Sequence, residues 1–241
     1  NFISGNQVQT GTYPVDNPIA QYYGAKPLKP EKSTNFGVGT VLTPVSGASL
    51  AIDYYNIKVK NRIFISQPFA VTAADVAANP ELAAVGVSGN VSYFTNGLDT
   101  RTQGVDVVGS YRTAFAGGSL NLTLAYNYNK STVLSTDPNV ISNAQIINIK
   151  HLAPNHRGNV SAAWSSGGFT FNVRENYWGW WVNAVDYPTV KDAAGETTVG
   201  QKFGAKWTTD LDISYTFAEH YTLTLGASNL FDAYPTKIWA S

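Results

Sequence analysis

Apolar and polar residues alternate along much of this chain with a period of two, the mark of strands whose two faces meet different surroundings. Residues 120–128 show it most clearly: Leu120, Leu122, Leu124, Tyr126 and Tyr128 share one face, and Asn121, Thr123, Ala125 and Asn127 the other. Residues 207–217 repeat it, with Trp207, Leu211, Ile213, Tyr215 and Phe217 (joined by Thr209) against Thr208, Asp210, Asp212, Ser214 and Thr216. Tyr221, Leu223, Leu225 and Ala227 oppose Thr222, Thr224, Gly226 and Ser228. Shorter alternations occur at Phe169, Phe171 and Val173, at Val160, Ala162 and Trp164, at Leu50, Ile52 and Tyr54, and at Val105, Val107 and Tyr111. Phe36, Val38 and Leu42 mark a weaker first strand.

Eight strands follow, near 32–43, 48–60, 102–115, 119–130, 157–165, 168–178, 203–217 and 220–231. Their connections alternate in length. Short links such as Ala116-Gly-Gly and Ser165-Ser-Gly-Gly have the residues of hairpin turns. Long ones cover about 61–101, 131–156 and 179–202, and a fourth long segment, 1–31, precedes the first strand. Loops this long count against a compact soluble domain. In a transmembrane barrel they are expected, with short turns on the periplasmic side and long loops outside. The 61–101 loop contains a short helix: Thr72 to Asp75 has capping-box spacing, and Asn79-Pro80 opens a second short turn.

Composition narrows the choice. Charged residues are only 13% of the chain, 16 basic against 16 acidic, while aromatics are another 13%. Balanced charge without a basic run excludes a nucleic-acid surface. The absence of Cys excludes disulfides, thiolate metal sites and Cys nucleophiles. No run of about 18 apolar residues forms a membrane helix, and residues 1–10 have no signal-peptide pattern. With no Met anywhere, the sequence is expected to be a processed or excised piece. Trp164, Phe217 and Tyr221 stand beside short turns on the apolar face, and Tyr126 and Tyr128 towards a long loop. Two aromatic belts around an apolar band mark a membrane barrel. The competing reading, a soluble β-sandwich, puts the same residues in a core.

Four segments occur together in one order. Leu28-Lys-Pro-Glu-Lys-Ser-Thr-Asn-Phe-Gly-Val-Gly39, Thr100-Arg-Thr-Gln-Gly-Val-Asp106, Leu152-Ala-Pro-Asn-His156 and Ser228-Asn-Leu-Phe-Asp232 resemble strand-entry and strand-end motifs of TonB-dependent outer-membrane receptors. The resemblance implies an all-β fold: an antiparallel, up-and-down transmembrane β-barrel segment with one loop partly helical. By the same resemblance, residues 1–241 are expected to form one partial barrel domain, about strands 14 to 21 of a barrel of about 22, without the plug domain and the last strand. It implies an outer-membrane location in a Gram-negative cell and a full-length monomeric barrel in lipid. It also implies coupling to TonB through the missing N-terminal part, and active uptake of a small scarce ligand. A ferric siderophore leads, with glycan or cobalamin as alternatives; a passive porin or structural barrel is the other reading.

No catalytic motif is present and no cofactor or metal site is expected. His151, His156 and His220 read as solvated loop histidines, and Asp210 and Asp212 as polar lining of a wet lumen. The richest functional segment is 174–182, with Arg174, Tyr177, Trp178, Trp180 and Trp181. Its aromatic rings suit either an interfacial belt or stacking on a sugar, a catechol or a planar chelate. Parity turns Trp178 inward. It turns Glu175 outward, so either the register shifts there or Glu175 lies above the apolar band. Arg174 and Arg112 face the lumen, where they attract an anion or pair with Asp106 or Asp53. The candidate ligand-binding residues are therefore Arg174, Trp178, Trp180, Trp181, Arg112 and Asp106.

Overall fold

Eight long strands dominate the computed structural model, which describes residues 2–3, 6–7, 10–187, 189–191 and 197–238. They are β1 (Lys32–Leu42), β2 (Ala48–Ile65), β3 (Asn90–Phe115) and β4 (Gly118–Thr136), then β5 (His156–Ser166), β6 (Phe169–Trp178), β7 (Lys206–Phe217) and β8 (Tyr221–Ala227). Each pairs with its sequence neighbour in one sheet, so the topology is an up-and-down meander. From β4 to β8 every pairing is antiparallel.

The hairpin turns explain how the short links close. Ala116 and Gly117 both have positive φ (48° and 74°), as do Gly167 and Gly168 (54° and 85°). Consecutive positive φ values are the geometry whose twist matches paired strands. Two contacts tie this end together: Trp164 Nε1 donates to the Phe115 carbonyl at 2.9 Å, and Ser166 Oγ to the Gly117 carbonyl at 3.1 Å.

Register turns the alternation into rows that cross the sheet. On the apolar face one row is Tyr126, Gly158, Tyr177 and Trp207, and the next is Leu124, Val160, Glu175 and Thr209. Below it come Leu122, Ala162, Val173, Leu211 and Ala227, then Leu120, Trp164, Phe171, Ile213 and Leu225. Phe169, Tyr215 and Leu223 follow, and Phe217 and Tyr221 close the series. Aromatic rings stack along the lower rows, Phe169 on Tyr215 at 4.3 Å and Phe217 on Tyr221 at 5.6 Å between centroids. At the upper end Tyr177 and Trp207 lie 4.8 Å apart. Trp207 and Phe217 bound β7 ten residues apart. At about 3.3 Å per residue and a tilt of about 40°, the two belts stand roughly 25 Å apart across a membrane, the height of a barrel's apolar band. The register does not slip at Glu175. It faces outward one row below Tyr177, at the upper edge of the band, and accepts a 2.7 Å hydrogen bond from Thr209 Oγ1.

Three strands run past their expected ends: β2 to Ile65, β3 back to Asn90 and β4 to Thr136. The chain divides into two compact units. One comprises Asn1–Thr34, Ile57–Arg101 and Thr132–Ile146; the other comprises Asn35–Asn56, Thr102–Ser131 and Ile147–Ser241 and carries the eight-stranded wall.

The first unit has a core of its own, made of Ile19, Val71, Leu82, Val85 and Val91 with Tyr13, Tyr23 and Val76 packed against it. Fully buried Tyr93 donates its hydroxyl to the Tyr23 carbonyl at 2.8 Å, and Phe69 stacks on Tyr93 at 5.8 Å. Three helical segments enter here. Helix α1 (Pro18–Tyr22) is capped by Asn17. Helix α2 (Ala73–Ala78) starts at a complete Thr72–Asp75 capping box, whose hydrogen bonds hold the Asp75 carboxyl below its ordinary range. A 3-10 turn, Pro80–Ala84, is capped by Asn79. A further helix that the alternation did not announce, α3 (Asn143–His151), lies in the 131–156 connection.

Candidate functional site

The polar face of the wall is a ladder of amides, hydroxyls and carboxylates. Asn127 Nδ2 donates to Asp106 at 2.6 Å, Asn172 Nδ2 to Asp212 at 2.7 Å and Asn176 Nδ2 to Asp210 at 2.8 Å. Thr123 and Ser161 hydroxyls pair at 2.6 Å. Tyr55 joins this face: Asn127 and Asn129 both donate to its hydroxyl. Gly104 leaves room for it, since a Cβ there would collide with the Tyr55 ring.

At the long-loop end the rows change character. Asn127 is opposite Arg157, Arg157 opposite Trp178, and Trp178 opposite Lys206. One aromatic ring thus stands between two cations on the polar face. Two rows below, Arg174 faces Asp210 across β6 and β7.

Next to this row a cleft of about 370 Å³ opens, lined by Trp178, Trp181, Leu152, Lys206, Thr208 and Tyr234. Its far wall depends on the Asn229–Asp232 turn. Asn229 takes φ of 50°, accepts Ala233 N–H on its side chain at 2.9 Å, and donates its own N–H to Asp210 at 2.9 Å. Strand β8 therefore stops at Ala227 rather than near 231. The 179–202 connection is itself a hairpin, in which Trp181–Asn183 pairs with Gln201–Phe203 and Val190–Lys191 with Thr197–Thr198. That pairing stacks Trp181 on Phe203 at 3.8 Å, nearly coplanar at 6°.

The expected site residues separate into groups. Trp178 and Trp181 meet at the cleft. Trp180 turns elsewhere, 5.1 Å from the His151 ring and with Lys202 Nζ 4.8 Å from its own ring centre. Arg174 lies below the cation row, and the acid opposite it is Asp210, not Asp106 or Asp53. Arg112 lies near the short turns, where its Nε donates to Ser119 at 3.2 Å, so it does not join the cleft. Asp106 accepts from Asn127, the residue opposite Arg157 at the end of the cation row.

One histidine, His151, departs from the solvated reading, while His156 is exposed but begins a strand rather than lying in a loop. His156 opens β5 and is bonded through Nδ1 to the Tyr126 hydroxyl at 2.7 Å. His151 ends α3 half-buried, with its Nδ1 enclosed and unpartnered. Burial, together with Lys150 and Lys130, pushes its pKa below the ordinary imidazole value. Among the described residues no cluster of His, Asp and Glu could hold a metal ion, and no helix is long and apolar enough to cross a membrane.

Arg157 and Lys206 escaped the sequence reading, because neither stands out without the register that puts Trp178 between them. The available signal was parity counted inward from both ends of β5 and β7.

The wall's architecture recurs in solved structures. The outer-membrane ferripyoverdine receptor of Pseudomonas aeruginosa, bound to ferripyoverdine, aligns over 88% of this chain and 25% of its own, with 15% identity and a TM-score of 0.52. The FrpB iron transporter of Neisseria meningitidis aligns over 88% and 29%, with 17% identity and a TM-score of 0.59. The outer membrane transporter YddB of Escherichia coli gives 86% and 29%, 11% and 0.55. This chain thus spans 25–29% of the length of those proteins, and at these identities the likeness is one of fold. No match to a curated protein was found. The family described as "TonB dependent receptor-like, beta-barrel" matches residues 3–230, nearly the whole chain. The up-and-down wall, its two aromatic belts and this match agree: the chain belongs to the TonB-dependent receptor β-barrel family of Gram-negative outer-membrane proteins.

Proposed function

We propose that this wall is part of a receptor that takes up a ferric siderophore by TonB-coupled transport, with the long connections facing the outside. The observation that carries the reading is the Arg157–Trp178–Lys206 row beside the 370 Å³ cleft. A ferric chelate with anionic catecholate or hydroxamate arms offers flat surface for Trp178 and Trp181 and negative charge for the flanking cations. The polar ladder below the row suits a wet passage, and the apolar face suits outer-membrane lipid around a monomeric barrel. TonB coupling follows from the family reading of the barrel.

The test is uptake by a deletion strain carrying the full-length gene, offered ferric siderophores, cobalamin and oligosaccharides. Trp178→Ala and the pair Arg157→Ala with Lys206→Ala should each weaken binding of the ferric siderophore about tenfold, matching about 1.4 kcal/mol of lost stacking in the first case and of lost charge-assisted contact in the second. If only oligosaccharide uptake suffers, the iron assignment is wrong. Uptake that persists in a strain lacking TonB would instead mark a passive barrel.

A further inference from the structure

The end of helix α3 meets the hairpin that carries Trp181. Asn148 Oδ1 accepts the Ala184 N–H at 2.6 Å, and Asn148 Nδ2 reaches Asn183 Oδ1 at 3.4 Å. Further along the helix, the His151 ring packs 5.1 Å from Trp180, whose ring centre also lies 4.8 Å from Lys202 Nζ. The legs of the hairpin are pinned separately: Gly179 N–H donates to the His156 carbonyl at 2.8 Å, and Gly204 N–H to Thr236 Oγ1 at 2.9 Å. The His151–Trp180 contact is one residue away from the cleft on both sides. Leu152 follows His151 in the chain, Gly179 and Trp181 flank Trp180, and all three line the cleft.

This contact suits a neutral imidazole. A proton would put an N–H on both ring nitrogens, and Nδ1 is enclosed without an acceptor. The new charge would also meet a cation from each element packed here: Lys150 on its own helix, Lys130 on β4 and, beside the same Trp180 ring, Lys202 on the hairpin. Among the described residues the one acid of the hairpin is Asp186, and Asn183 Nδ2 engages it at 2.7 Å.

We propose that His151 is a positioning residue for the cleft and its proton-sensitive clasp: neutral, it holds the hairpin on α3 with Trp181 at the cleft; protonated, it lets the hairpin go. The proposal rests on the reading of the cleft as the ligand site. In the docked state burial, with Lys150 and Lys130, holds the ring below the ordinary imidazole value. In the released state the ring meets water and returns to about 6.5. The released state therefore binds the proton more readily. Docking is full above about pH 6.5 and is lost as pH falls through the docked value.

The experiment uses the full-length receptor in nanodiscs and follows hydrogen exchange of the 181–185 segment, corrected for the intrinsic rate, with β7 as internal control. The Ala184 N–H reports release even when release is rare. In the wild type its protection should fall by up to about tenfold per pH unit between about pH 6.5 and the docked value, the limit for one proton, while β7 is unchanged. His151→Phe keeps a ring against Trp180 and takes no proton, so its protection should not depend on pH. Lys150→Gln removes one repelling charge and should lose less protection in acid than the wild type, a shift that a merely structural His151 would not produce. Heat-modifiable gel migration checks folding, and Lys150→Gln carries the test alone if His151→Phe does not fold. A ferric trihydroxamate, added at about a hundred times its Kd, should restore protection in acid about a hundredfold. Protection that is flat with pH in the wild type, or that falls as steeply in either variant, overturns the clasp. A trihydroxamate that binds without restoring protection overturns the link between clasp and cleft. One that binds at no pH overturns the hydroxamate cargo and leaves the clasp standing on its pH profile.

Discussion

Ala162 and Ala163 are adjacent on β5 and differ only in the face they present. Register puts Ala162 between Leu122 and Val173 on the apolar face, and Ala163 between Asn121 and Asn172 on the polar one. Replacing each in turn with Arg therefore changes one variable. The Ala162 row crosses β7 at Leu211, four residues below Trp207 and six above Phe217. At about 3.3 Å per residue and a tilt of about 40°, it lies roughly 10 Å below the upper belt and within about 3 Å of the midplane. An Arg facing lipid at that depth costs about 2–4 kcal/mol in a barrel. Ala162→Arg should then lower the folding equilibrium constant about 30-fold to 1,000-fold. Ala163→Arg places its guanidinium among amides at the same height and should cost under about 1 kcal/mol, because no lipid partition term applies. Urea titration of the full-length receptor in phospholipid vesicles, followed by fluorescence and heat-modifiable migration, measures both. Equal losses from the two variants, or a larger loss from Ala163→Arg, would refute the assignment of faces.

Three smaller predictions concern a hairpin turn, the Asp210–Asn229 hydrogen bond and the half-buried His151. Ala116→Gly relieves a left-handed alanine at φ 48° and should stabilise the hairpin by about 0.5–1 kcal/mol, read as a higher urea midpoint. Asp210→Ala leaves the Asn229 N–H without its acceptor and Asn176 Nδ2 with only its longer contacts to Thr208; it should cost about 1–3 kcal/mol and speed hydrogen exchange at Asn229 and Ala233, an effect that Asp210→Asn largely avoids. His151 has a folded pKa below the ordinary imidazole value. The unfolded chain therefore binds the proton more readily, so stability is full above about pH 6.5 and falls as pH drops through the folded pKa. Trp180 fluorescence should report a titration midpoint below 6.5 that vanishes in His151→Phe.

Where lipid and water impose opposite demands on successive residues, the sequence carries the structure openly. The alternation at 120–128 and 207–217 placed β4 and β7, and the glycine-bearing links placed the turns. The same logic explains the failures. Beyond the membrane band both faces of a strand can be wet or covered, so period two disappears. Residues 90–101 show this: Val91 and Tyr93 are wholly buried by the first unit's core while Phe94 is exposed, and Thr10–Tyr13 and Phe69–Ala70 both pair with this part of β3. Its extension was set by partners remote in sequence and read as loop. Helix α3 was equally silent. Its buried residue is a glutamine, Gln145, which donates to the Ile65 carbonyl at 3.0 Å, so no apolar stripe announced it.

The candidate site was half legible for a related reason. Trp178 and Trp181 stand out in any reading of 174–182 because aromatic density is a local property. Which neighbours give them chemistry is a property of pairing. Arg157 is 21 residues from Trp178 and Lys206 is 28 residues away, and only the two-residue turn at Gly167-Gly168 and the register of β6 with β7 bring them to one row. A one-residue slip in either pairing would turn every side chain of the slipped strand to the other face, carrying Arg157 or Lys206 into the belt and bringing His156 or Gly158, or Ala205 or Trp207, opposite Trp178. The turn geometry, the lipid face and the cation–aromatic row are thus held by one constraint. An insertion of a single residue at Gly167 should therefore remove ligand binding and membrane stability together.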